Sequence, residues 1–347
     1  MKKQLIFLTM LALTGLSQNV DAQTKIFVVN GSKISVINSN YLIPAIQQAT
    51  AGDTIYLPGG TVQTGGTVYI DKKLTIIGAG WDSDSSASPT VLKSGNLLTN
   101  VTFQKGSDGS LLHGCEVANI RFGQYGNPGS QNIQNVTLSR NKVQFDIELG
   151  IYGDDNANNA SKNIVILQNF AVRIIGCNAE ACVISNNFVQ YSGGSGMGEV
   201  TGFRHSIITN NILNSVQELS FCEVNNNYFV SPYFQKVANC AFNNNAFPYN
   251  YTIPGASTSA NNLMNQNITS TFITDKYSLT HPKECQLRND SPCKNAGTDG
   301  TDIGLYGGIF PFTSQTFNPR VDKMAVANST NEEGDLLINI QVSGQKK

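Results

Sequence analysis

Hydrophobic positions change spacing along this chain. Ile26 to Val29 and Lys33 to Ile37 are short runs that predict two strands, whereas Leu42, Ile43, Ala45 and Ile46 recur at helical spacing and predict an amphipathic helix around Tyr41 to Ala49. From Val136 to Phe247 a third pattern takes over. Six times an aliphatic or aromatic residue is followed, after two variable positions, by Asn: Leu138 and Asn141, Ile166 and Asn169, Ile184 and Asn187, Ile208 and Asn211, Val224 and Asn227, Phe242 and Asn245. The gaps between these Asn residues are 28, 18, 24, 16 and 18 positions. Irregular gaps around a fixed motif predict a solenoid whose coils differ in loop length.

Five and three places before each Asn stand two columns of mostly apolar residues. The first is Val136, Ile164, Cys182, Ser206, Cys222, Cys240, and the second is Leu138, Ile166, Ile184, Ile208, Val224, Phe242. Alternate residues of a strand share a face, so both columns are expected to point inward. An Asn ending each strand, stacked about 4.8 Å from the next, can pass amide hydrogen bonds along the axis as an Asn ladder. Asn is also a common turn former, but the constant offset from the apolar columns favours the ladder. Degenerate copies are expected at both ends, with Cys115 and Val117 in the apolar columns ahead of Ile120, and Leu263 ahead of Gln266.

The predicted fold class is therefore all-β, a solenoid opening with a cap helix that covers the exposed end of the first coil. The first full coil is expected at Thr67 to Gly78. Residues 1–22 read as a signal peptide: Lys2 and Lys3, an apolar run from Leu5 to Leu16, then Val20-Asp21-Ala22. The run is too short for a comfortable membrane span, and the chain is expected to be secreted or held at the cell surface. Residues 23–312 are assigned to the solenoid and 313–347 to a tail in which Val321 to Ala327 and Leu336 to Val342 predict a β-hairpin. Without residues 1–22 there remain 21 basic and 23 acidic residues and no run of charge, so neither nucleic acid nor a membrane surface is an expected partner. A monomer is the default expectation. Gly-, Asn- and Ser-rich stretches at Gln124 to Gln131, Tyr152 to Ser161 and Tyr191 to Gly202 are expected to leave the coil as loops that wall a groove.

Three motifs in order carry a family resemblance: Ala51-Gly-Asp-Thr-Ile-Tyr-Leu-Pro-Gly-Gly60 after the cap helix, Leu74-Thr-Ile-Ile-Gly-Ala-Gly80, and then the Asn copies. With Ser291 to Gly297 and Asp302 to Gly308 as a closing segment, residues 25–312 resemble the secreted bacterial right-handed parallel β-helix proteins of the pectin-lyase-like superfamily. The resemblance implies a right-handed parallel β-helix. It leaves the reaction open, since that superfamily holds lyases, hydrolases, epimerases and proteins without known activity.

Seven cysteines make an odd set. Cys115, Cys182, Cys222 and Cys240 suit buried free thiols, and Cys285 with Cys293 is the most plausible disulfide. No cysteine has the spacing of a zinc site.

Candidate chemistry lies seven places before the ladder Asn, where Lys162, Glu180 and Arg204 are expected to stack on successive coils beside His205. Cleaving an acidic polysaccharide by β-elimination needs a cation to neutralise the uronate and a base to remove its neighbouring proton. Lys162 or Arg204 fits the first role, and His205 or Lys162 the second. The same residues equally form a surface row of alternating charge that needs no substrate. Asp146, Glu148, Asp154 and Asp155 are candidate Ca²⁺ ligands, and no other cofactor is implied. Hydrolysis is disfavoured by the lack of a dense Asp cluster. A noncatalytic protein binding a cell-surface glycan would use exposed aromatics instead, for which Tyr191, Tyr233 and Phe234 are candidates; Tyr228 is expected to be half buried. Two expectations follow: a lyase or epimerase engaging extracellular acidic polysaccharide, or a noncatalytic glycan-binding or structural cell-surface protein.

Overall fold

A computed structural model describes residues 25–86, 88–124, 130–151, 159–190, 198–254, 258–316, 320–327 and 329–343. The expected signal peptide, Tyr191, Asp154 and Asp155 lie outside these residues. The chain winds through three stacked parallel sheets in turn, an all-β arrangement consistent with a parallel β-helix. The first sheet runs from Thr54–Tyr56 through Thr75–Ile77, Leu111–His113, Thr137–Ser139 and Val165–Leu167 to Thr258–Ala260. The second includes Lys142–Val143, Phe170–Ala171, Phe188–Val189, Ile212–Leu213 and Tyr228–Phe229. The third includes Asn119–Phe122, Asp146–Glu148, Arg173–Glu180, Glu199–Arg204 and Ser215–Gln217. A complete coil already exists at Thr54–Ile70, earlier than the sequence pattern marks it, because its strands pair in parallel with those of the next circuit.

Both apolar columns point into the coil. Leu138, Ile166, Ile184, Ile208, Val224 and Phe242 are fully buried, and Val136, Ile164, Cys182, Ser206, Cys222 and Cys240 nearly so. Burying each aliphatic side chain contributes about 1.5–3 kcal/mol, so the stack is the main source of cohesion. Helix α1 (Leu42–Gln48) adds Leu42, Ala45 and Ile46 to this cluster at its amino-terminal end. Lys72 donates to the Ile46 and Ala49 carbonyls at the helix C-terminus. Ahead of the first parallel strand, Ile26–Asn30 and Lys33–Ile37 form the antiparallel edge of the first sheet.

Each first-sheet strand from Thr137–Ser139 to Ala241–Asn243 is bracketed by two left-handed residues, such as Ala181 (φ 56°) and Asn186 (φ 53°), or His205 (φ 47°) and Asn210 (φ 56°). These turns bend the coil at both ends of the strand, and Asn tolerates the conformation better than most residues. At the following position the asparagines are joined through their side chains. Asn141 donates to Asn169 (3.1 Å), Asn169 to Asn187 (3.1 Å), Asn187 to Asn211 (3.0 Å), Asn211 to Asn227 (2.9 Å) and Asn227 to Asn245 (3.1 Å). The row ends differently from the sequence alignment. Leu112, not Val117, pairs with Leu138, which puts Cys115 rather than Ile120 at the Asn position, its N–H donating to Asn141 Oδ1 at 3.1 Å. At the other end Asn262 rather than Gln266 accepts from Asn245, because Ser259 is the partner of Phe242.

A second apolar cluster lies outside the coil. Phe170, Phe188, Ile212, Tyr228 and Ala246, each following a row Asn, meet Trp81, Phe272, Leu279, Ile303, Leu305 and Phe312 across the outer face of the second sheet. Tyr228 is thus fully buried rather than half buried. The closing segment is fixed by the residues just before the row Asn. Asn244 donates to the Ala296 carbonyl (2.8 Å), Asn210 to Asp302 (3.3 Å), Asn186 to Leu305 (2.9 Å) and Gly307 (2.8 Å), Gln168 to Phe310 (3.2 Å), and Arg140 to Gln315 (2.6 Å). The segment therefore runs back along the coils as a strap. Cys285 and Cys293 are buried beneath it as free thiols, contrary to the expected disulfide. Burial pushes the Cys293 thiol up to about 12 and Cys285 well above the ordinary range. The predicted tail hairpin is an antiparallel pair, Arg320–Val326 with Ile338–Ser343.

Candidate functional site

The second sheet is covered by the strap, whereas the outer face of the third sheet carries a cleft. Alternate residues of its strands project outward in two columns. One reads Asn119, Asp146, Arg173, Glu199, Ser215, and the other Arg121, Glu148, Ile175, Thr201, Gln217, Gln235. Between them lies a cavity of about 370 Å³ lined by Glu148, Gly150, Arg173, Ile175, Cys177, Glu199, Thr201, Gln217 and Glu218. A bulge shapes one end of it: the pairing of Ile175 with Thr201 resumes only at Ala179 with Phe203. The extra residues include Cys177 (φ 49°) and Asn178 (φ 66°). Gly176 is required there, since a Cβ would stand 2.4 Å from the Gly202 carbonyl oxygen.

Most charges at the cleft are paired. Arg173 clamps Asp146 with two hydrogen bonds (2.9 and 2.6 Å), Arg121 pairs with Glu148 (3.0 Å), and Lys236 with Glu218 (2.6 Å). Glu199 accepts a hydrogen bond from Gln217 Nε2 (2.7 Å) and forms no salt bridge among the described residues. Burial raises the carboxyls of both Glu148 and Glu199 above the usual range, against the pull of Arg121 on the first and Arg173 on the second. The hydrogen bonds that Arg173 donates to Asp146, with the charges of Glu199 and Glu148 nearby, hold its guanidinium more firmly protonated. The cleft therefore presents donors, acceptors and protonatable carboxyls on one rigid sheet.

The residues singled out in the sequence are placed differently. Lys162, Glu180 and Arg204 do adjoin on successive coils, as their spacing predicts. Lys162 is within 3.0 Å of Glu180, and that hydrogen bond lowers the exposed Glu180 carboxyl. His205 occupies a left-handed turn and stacks on Phe221 of the next coil (5.0 Å between ring centroids). None of the four is among the residues lining the cleft. Of the candidate Ca²⁺ ligands, Asp146 and Glu148 are engaged by arginines and Asp154 and Asp155 lie outside the described residues; among the described residues no group of three or more His, Cys, Asp or Glu able to hold a metal occurs. Phe234 is a core residue rather than a surface platform, packed against Phe229 (4.9 Å), Tyr251 (5.0 Å) and Phe242 (5.3 Å). Strand alternation turns its neighbour outward. Tyr233 is 56% exposed and stands two residues before Gln235, so it continues the Glu199–Ser215 column.

Sequence reasoning missed Arg173, Glu199 and Gln217. From the row Asn to the first residue of the third-sheet strand, Asn141 to Asp146, Asn169 to Arg173, Asn187 to Glu199 and Asn211 to Ser215, the counts are 5, 4, 12 and 4. The interval of 12 residues before Glu199 hides its register with Arg173. No described helix is long and apolar enough to cross a membrane.

The sequence matches no protein-family model and no curated protein. Among solved structures, ORF18 of Geobacillus virus E2 aligns over 85% of this chain and 81% of its own, at 14% identity and a TM-score of 0.23. A similarity that low carries no argument about fold or function.

Proposed function

We propose that the outer face of the third sheet engages an extracellular polysaccharide. In this reading the chain is a secreted, right-handed parallel β-helix of the pectin-lyase-like kind, exported through residues 1–22. Its asparagine row serves as a ladder, α1 as the cap, residues 23–312 as the solenoid and 313–347 as a separate tail. The observation that carries the binding proposal is the 370 Å³ cleft of Glu148, Arg173, Glu199, Thr201 and Gln217 with Tyr233 in line beyond it. Sugars combine hydroxyls with apolar ring faces, so they suit a row of polar side chains that ends in an exposed aromatic ring. The cleft supports this reading better than the Lys162–Glu180 row, whose charges already neutralise each other.

The test is calorimetric titration of the mature chain with neutral, acidic and basic oligosaccharides. Binding that weakens at least several-fold in Tyr233→Ala and in Gln217→Ala is expected. Absence of binding to every oligosaccharide, or equal binding by both variants, would overturn the proposal. A lyase or epimerase reading calls in addition for an absorbance rise from unsaturated uronate, or for a change in uronate configuration, that Glu199→Gln abolishes.

A further inference from the structure

We propose that the cleft selects a glycan bearing free amino groups, with a sugar ammonium seated against Glu199. This rests on the glycan reading above and adds the substrate class to it. A charge balance over the described acidic and basic side chains facing the cleft supports it. Asp146 is matched by Arg173, Glu148 by Arg121 and Glu218 by Lys236, which among the described residues leaves one carboxyl, Glu199, without a salt bridge.

A half-buried carboxylate whose neighbouring guanidinium, Arg173, is already bonded to Asp146 is costly, and burial outweighs the pull of Arg173 to favour its protonated form. A ligand ammonium supplies the missing charge. A uronate would meet the opposite situation: both cleft guanidiniums are already committed to carboxylates, and its own carboxylate would add to the excess negative charge. Gln217, which donates to Glu199, fixes the carboxylate orientation. Tyr233 follows two strand spacings along the same column, about 9.6 Å from Glu199 along the axis, a distance comparable to a disaccharide. An amino sugar at Glu199 therefore leaves a neighbouring ring over the tyrosine.

The experiment titrates the whole mature protein with three probes of matched length, an oligomer of glucosamine, one of N-acetylglucosamine and one of galacturonate, at low and raised salt. The glucosamine oligomer is expected to bind about tenfold tighter than the acetylated one, the fold-change of one charge-assisted hydrogen bond. That preference should vanish in Glu199→Gln and shrink with salt in the parent only, while Tyr233→Ala weakens both oligomers alike. Equal binding of the acetylated oligomer, or tighter binding of oligogalacturonate, with Tyr233→Ala still weakening it, would overturn the amine assignment and leave the glycan reading standing. No binding of any probe by a parent chain that unfolds cooperatively would overturn both.

Discussion

Replacing Asn187 by Leu separates a hydrogen-bonding role of the buried asparagines from a simple preference for turns. Asn187 is fully buried. Its amide nitrogen donates to the carbonyls of Ile166 (2.8 Å) and Ser185 (3.0 Å) and to Asn211 Oδ1 (3.0 Å). Its oxygen accepts from Asn169 N (2.9 Å) and Nδ2 (3.1 Å). Leu shares the branching of Asn at Cγ but is larger, so no cavity forms and any overpacking adds to the loss. The Asn169 N–H, however, loses its acceptor and the Ile166 carbonyl loses its side-chain donor. Each buried orphan costs about 1–3 kcal/mol, so a loss of about 2–6 kcal/mol is expected. The assay is equilibrium urea unfolding followed by fluorescence of the sole tryptophan, Trp81, which is buried against the second sheet. Asn239→Gly is the control, since Asn239 is an exposed left-handed turn residue and Gly adopts the same conformation; a change within about 0.5 kcal/mol is expected there. A loss below about 1 kcal/mol for Asn187→Leu, or equal losses for the two variants, would refute the hydrogen-bonding account.

Other consequences are open to direct measurement. Asn186→Gly keeps the turn but removes the bonds to Leu305 and Gly307, so amide exchange across residues 303–312 should accelerate while the first-sheet strands stay protected; uniform acceleration would contradict a separately docked strap. His113 is buried beside Ser139, and burial, followed by the Arg140 charge, lowers its pKa to about 3. The folded value lies below the unfolded 6.5, so the neutral-state stability is full above pH 6.5 and falls toward pH 3, by about 1.4 kcal/mol per unit. A His113→Gln variant should lose that slope between pH 6.5 and 5, and an unchanged slope would refute the assignment. Lys162→Ala should cost less than about 1 kcal/mol and leave glycan titrations unchanged, because it removes an exposed ion pair. Thiol titration under denaturing, non-reducing conditions should count seven free cysteines, and five would indicate the Cys285–Cys293 bridge.

The sequence determined the parts of this protein that repeat locally. Apolar residues at Leu138, Ile166 and Ile184, always three places before an Asn, specify strand, inward face and corner together, because alternation along a strand is set by the backbone alone. The helix at Leu42–Gln48 and the tail hairpin were legible from local spacing too, and so was the adjacency of Lys162, Glu180 and Arg204, which keep a constant offset from the row. Tertiary structure decided which outward residues share a surface. Glu199 meets Arg173 only because their strands pair in register despite a longer interval of sequence between them, and no local period encodes that pairing. It also decided which face is covered. The apolar residues after each Asn, and the side chains before it that hold the strap, become a second core only when residues 268–316 fold back across the coils, with strap hydrogen bonds joining residues 52 to 175 positions apart. With the second sheet sealed in this way, the third sheet keeps the cleft, with Glu199 as the cleft carboxylate without a salt bridge among the described residues and the exposed Tyr233 beside it.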